Sequence, residues 1–185
     1  EIMEDWEKPY LVLLDNVDDS YLRQDQIASA LQSFETCFHL LAANRWPSVI
    51  LILWESCEKL LSVACEREIG PTAKKLDALE YQKKYKGFAK ISDDLNDRSH
   101  KLRIRRNQIA HEGYMPKDTS DCIDLFFNAG FPYFNNILIH LFEKGVYELS
   151  TYDWFWSIYS DTRKIVTKRL NKGKDVGTSL FFFKK

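Results

Sequence analysis

From Ser20 onward, apolar residues recur at steps of three to four. Leu22, Ile27, Leu31, Phe34, Phe38 and Leu41 fall on one side of a helix, which predicts an amphipathic helix stopping near Asn44. A second helix is predicted from Trp46-Pro47, where a first-turn proline gives up no needed N–H, to the marked stop at Gly70-Pro71. Its first half, SVILILW, is apolar on more than one side, which predicts a position at the centre of a bundle. Thr72 to Gly87 reads as a third, lysine-bearing helix or helical loop. Ser92 with Asp93 and Asp94 supplies cap chemistry for a fourth, on which Leu95, Leu102 and Ile109 repeat on one side up to His111–Gly113. A fifth pattern runs from Asp118 to Lys144, with a kink or break expected at Gly130-Phe131-Pro132.

The ends are less regular. Residues 1–19 mix acids with the apolar patch YLVLL and read as an opening strand, a lead-in helix or a lid. Residues 145–185 begin aromatic and turn basic, a last amphipathic helix followed by SLFFFKK as an edge strand or docking arm. Period-two alternation is scarce, so the expectation is an all-α antiparallel bundle of about five or six helices. It would occupy residues 20–144, with 145–185 packed on the same core and a small extended segment at a terminus.

Composition narrows the class. The chain has 185 residues, enough for one substantial core, and its 45% hydrophobic content excludes a disordered or fibrous protein. The longest apolar runs are too short to cross a bilayer and no charged-then-apolar leader opens the sequence, so a soluble, cytoplasmic protein is expected. The start at Glu1 reads as a processed form or a piece of a longer protein. Cys37, Cys57, Cys65 and Cys122 form no Cys-x-x-Cys pair or Cys/His ladder, which argues against a zinc site and a disulfide scaffold; no metal or cofactor is expected. The net charge of −1 hides an uneven spread, since residues 1–66 carry 12 acidic against 4 basic side chains and residues 67–117 carry 13 basic against 7 acidic. A basic middle suits a phosphate-bearing partner, although a solvated helix face has the same composition.

The candidate chemistry sits in RRNQIAHEGYMP, Arg105 to Pro116. Arg103, Asn107 and His111, four residues apart, form one polar stripe, each about 40° from the last on a helix turning about 100° per residue. Arg106 lies about 140° from His111 on the same geometry. Convergence of the two therefore needs unwinding at Gly113, an arginine side chain curling round, or a second copy of the helix across a two-fold axis. Histidine moves protons near neutral pH, arginine holds phosphate in bidentate fashion, and an asparagine amide orients either. Those are parts for RNA phosphodiester cleavage, in which the 2′-hydroxyl is already the nucleophile. The same residues also suit a C-terminal cap in which basic groups satisfy the last carbonyls.

RNQIAHEG, an Arg-Asn-x-x-x-His closing a helix in an all-α chain, resembles the signature of the HEPN superfamily (higher eukaryote and prokaryote nucleotide-binding domains), whose usual form is Arg, four to six residues, then His. ESCEKLL in the second helix resembles that family's central helix, and the likeness extends over residues 20–144. The resemblance implies a homodimer meeting through the motif face and metal-independent endoribonuclease activity that leaves a 2′,3′-cyclic phosphate, in a toxin or antiphage-defence effector. Arg106 would stabilise the scissile phosphate, His111 would act as acid and base, Asn107 would orient them, and Glu58 would lend support. A neutralising antitoxin or a fused regulatory domain would be the protein partner. The family also contains silent members that bind nucleotide or dimerise a larger protein, and this is the alternative reading.

Lys101, Arg103 and Arg105, beside the motif, are the candidate RNA contacts. His100 extends the basic face or is solvated. His39, among apolar neighbours, is expected in the core or at its boundary, and His140 with Glu143 lacks a third ligand nearby. Tyr152, Trp154, Phe155, Trp156 and Tyr159 pack in the core or stack bases.

Overall fold

The computed structural model describes residues 24–115 and 119–145. These are helical, with no strand among the described residues: α1 (Gln24–Ala42), α2 (Trp46–Ile69), a 3₁₀ turn (Pro71–Lys75), α3 (Ala78–Phe88), α4 (Asp93–His111), α5 (Thr119–Asp124), a π-helical segment (Leu125–Gly130) and α6 (Phe131–Glu143). The all-α bundle expected from periodicity is the observed fold. Expectations for residues 1–19, for the start of the first helix at 20–23, and for the aromatic and basic stretch after residue 145, lie outside the described residues.

The central position of α2 follows from its sequence. Val49, Ile50, Leu53, Trp54, Cys57, Leu60, Leu61, Ala64 and Cys65 are all buried, and α2 packs against every other described helix. Burial on several sides is what its apolar first half requires. Phe34 of α1 meets this core through rings of α6, stacking on Phe134 at a centroid distance of 4.2 Å and lying 5.7 Å from Phe131. His39, expected in or near the core, is exposed instead. It lies about 140° round α1 from Phe34, on the side turned away from α2.

Element ends obey local chemistry. Asn44 takes a positive φ of 56° between α1 and α2, a conformation asparagine tolerates better than most residues. The lysine-bearing region splits into the 3₁₀ turn and α3, because Asp77 starts a new helix: its side chain accepts from the Glu80 N–H at 2.9 Å while Glu80 accepts from the Asp77 N–H at 2.9 Å. Ser92 caps α4 by accepting from the Leu95 N–H at 3.1 Å. Leu102 is fully buried, and Leu95 and Ile109 pack beside it on the core.

At Pro132 the expected interruption takes a specific form. The chain stays helical but widens to a π-helical segment over Leu125–Gly130, where the Phe131 N–H reaches the Phe126 carbonyl, five residues back. Pro132 has no N–H to offer Asn128, four residues earlier, and its ring crowds that carbonyl. Arg98 of α4 supplies a donor, with Nη1 2.7 Å from the Asn128 oxygen. The wide turn also brings the Gly130 backbone against Leu53. A Cβ built there would lie 2.2 Å from Leu53 Cδ2, so a larger residue would force the Leu53 side chain to move.

Candidate active site

α4 presents the candidate residues. Its inner face is set by Leu95, Leu102 and Ile109, and the opposite face carries Ile104 and His111, about 20° apart in rotation. Both are exposed, Ile104 at 41%. The helix runs unbroken to His111 and turns out only afterwards: Gly113 has φ 65°, and the Tyr114 N–H closes back on the Gln108 carbonyl at 3.1 Å. Glycine is suited to that left-handed position, since a Cβ would strain it. Unwinding therefore does not bring Arg106 toward His111, because it comes after the histidine.

The arginine bends instead. Arg106 Nη1 donates to Asn107 Oδ1 at 3.0 Å. Arg106 leaves the helix on its inner side, whereas Asn107 lies about 40° from His111, so this bond draws the guanidinium round toward the outer flank. Asn107 thus orients the arginine directly. His111 has no hydrogen-bond or ion-pair partner among the described residues. Its imidazole is open to a ligand.

The three candidate RNA contacts differ in availability. Lys101 is exposed. Arg105 is engaged three ways: Nε pairs with Asp121 at 2.9 Å, Nη1 donates to Gln108 Oε1 at 2.9 Å, and the guanidinium lies 4.2 Å from the Tyr114 ring centroid. It fastens the loop after α4 to α5. Arg103 Nε donates to Gln82 Oε1 of α3 at 2.8 Å, and its Nη2 lies 3.2 Å from His100 Nδ1. Glu58 accepts from Trp54 Nε1 at 2.9 Å within α2 and makes no hydrogen bond or ion pair with Arg106, Asn107 or His111.

Gln82 and Asp121 were not legible as partners of the arginines. A capping-box pattern at Asp77–Glu80 could have placed Gln82 on the buried side of α3, in the turn that also buries Tyr81 and Tyr85, but it could not name the helix it would face.

Elsewhere, the four cysteines are free and buried, and burial raises the thiol of Cys65 to about 12 and also pushes up those of Cys37 and Cys57. His140 stands 3.4 Å from Glu68, with Tyr85 and Phe88 rings at 5.7 and 5.6 Å. Among the described residues no group of three metal-ligating side chains comes together, and no helix is long and apolar enough to cross a membrane. No protein-family model, curated protein or solved structure matches the chain.

Proposed function

We propose that the chain is a metal-independent endoribonuclease of HEPN type, acting as a homodimer that meets through the outer face of α4. The observation that carries this reading is the end of α4: an exposed, unpartnered His111 with the Arg106 guanidinium turned toward its flank by Asn107. Ile104, an apolar side chain exposed on the His111 stripe, would be covered in a helix pair along that stripe. Arg106, held at Asn107, then lies at the rim of the pair, next to the other copy's His111.

In this mechanism His111 takes the proton of the RNA 2′-hydroxyl as that oxygen attacks phosphorus, and Arg106 holds the charge that builds on the phosphorane oxygens. The bond from phosphorus to the 5′-oxygen breaks, the proton passes from imidazolium to the departing oxygen, and a 2′,3′-cyclic phosphate remains. Role as a toxin or antiphage effector, with an antitoxin or fused domain as regulator, belongs to the same proposal.

Purified wild type and His111→Ala, incubated with total RNA in EDTA, test it. Wild type is expected to cut and leave cyclic phosphate ends, with the variant slower by about 10²–10⁴-fold, the usual contribution of a general acid–base group. An intact RNA pool with wild type, or equal cutting by both proteins, overturns the reading.

A further inference from the structure

The arginines of α4 are not equivalent. Arg98 pairs with Asp94 and Arg105 with Asp121, so each positive charge is compensated by a carboxylate. Arg103 is held by neutral groups alone. Its Nε donates to Gln82, and its Nη2 meets His100 Nδ1.

Gln82 is 4% exposed, and its orientation is determined by its neighbours. Ser99 Oγ spends its hydrogen on the Asn96 carbonyl at 2.7 Å and so offers only lone pairs to Gln82, whose Nε2 donates to it at 3.0 Å. The amide oxygen is thereby turned to Arg103. A guanidinium fixed this way keeps the Nη1 hydrogens, and one on Nη2, for an outside acceptor. His100, accepting through Nδ1, carries its proton on Nε2 as a further donor.

Local carboxylates are used elsewhere. Asp77 and Glu80 close their own capping box, while Asp93 pairs with Lys86 at 2.7 Å. Lys83 follows Gln82, about 100° further round α3, exposed and without an ion-pair partner among the described residues. The seam between α3 and α4 therefore presents preorganised donors and uncompensated positive charge, the requirements of a phosphate site. It lies eight residues before His111 on the same stripe, about 12 Å along the helix axis.

We infer that Arg103, His100 and Lys83 form a subsite for a backbone phosphate of single-stranded RNA, with buried Gln82 as its positioning residue. The inference takes its ligand from the ribonuclease reading. The strand crosses the α3–α4 seam on its way to His111.

The test is binding of a fluorescein-labelled single-stranded RNA to His111→Ala protein, followed by anisotropy over a range of salt concentrations. Arg103→Gln and Lys83→Gln in that background are each expected to weaken binding several-fold and to lower the slope of log K against log salt by about 0.7, the value for one single-strand phosphate contact. Gln82→Glu, which sets a carboxylate on Arg103, is expected to do the same with far-UV circular dichroism unchanged, a result that a merely structural role for Gln82 would not give. Lys83 is a surface residue, so its variant folds and keeps the test decisive.

Unchanged affinity and slope in Lys83→Gln and Arg103→Gln overturn the subsite, as does the absence of RNA binding. Competition by inorganic phosphate at concentrations that leave RNA binding to Lys83→Gln unaffected would assign the site to free phosphate and also overturn it. The two readings fail separately: wild type that binds RNA through the seam but does not cut it removes the nuclease alone, and cutting with unaltered binding in the seam variants removes the subsite alone.

Discussion

His140 shows how a single half-buried imidazole ties stability to pH. It sits in the last turn of α6 against Tyr85 and Phe88, 3.4 Å from Glu68, which Lys144 also approaches at 3.2 Å. Burial lowers its pKa below the ordinary 6.5, outweighing the upward pull of Glu68. Between the folded pKa and about 6.5 the unfolded chain binds a proton that the folded chain refuses, so stability falls as pH drops through that window and this contribution is constant above it. Thermal unfolding should therefore show Tm falling more steeply on acidification in wild type than in His140→Leu. A Tm difference between the two that does not vary from about pH 7.5 to pH 5.5 would contradict this. At the same scale, the sequence placed Asn107 and His111 on one face and Arg106 off it, because helical rotation alone decides that. It did not show that Asn107 pulls the Arg106 guanidinium round, because a side-chain torsion is chosen by three-dimensional neighbours.

At the scale of elements, the end of α1 and both ends of α2 and α4 were legible, since apolar periodicity, Pro47, Gly70, Ser92 and Gly113 are local signals with local causes. The π-helical segment was not. Pro132 announced trouble, but the repair comes from Arg98, 34 residues earlier in the chain, and no local rule pairs them. The Asn128 carbonyl, denied a proline N–H, depends on that guanidinium. Arg98→Met should therefore destabilise the fold by about 1–3 kcal/mol, the cost of an acceptor left unsatisfied, measured by urea unfolding. Arg98→Lys, which keeps a donor, should recover part of the loss; equal stability of wild type and Arg98→Met would show that the carbonyl has another partner.

For the whole molecule, the uneven charge along the chain becomes a distribution in space. Cations of α4 divide into those that hold the bundle together, Arg98 and Arg105, and those left uncompensated, Arg103 among them. Composition could report the excess of positive charge, but only the packing of α3 and α5 against α4 decides which cations remain free for a ligand. The same holds for oligomeric state: one exposed isoleucine on the His111 stripe is unremarkable in a sequence and stands out once Leu95, Leu102 and Ile109 are seen to face inward.

The central claim, an RNA-cleaving site shared by two chains, is tested most directly by complementation. Arg106→Ala and His111→Ala are each inactive on this account, yet a mixed dimer keeps one intact pairing of arginine and histidine. Unfolding and refolding the two variants together in equal amounts should restore about a quarter of wild-type RNA cleavage in EDTA, as random assortment into dimers requires. A mixture as inactive as its components, beside an active wild type refolded in the same way, would contradict a site built from two chains.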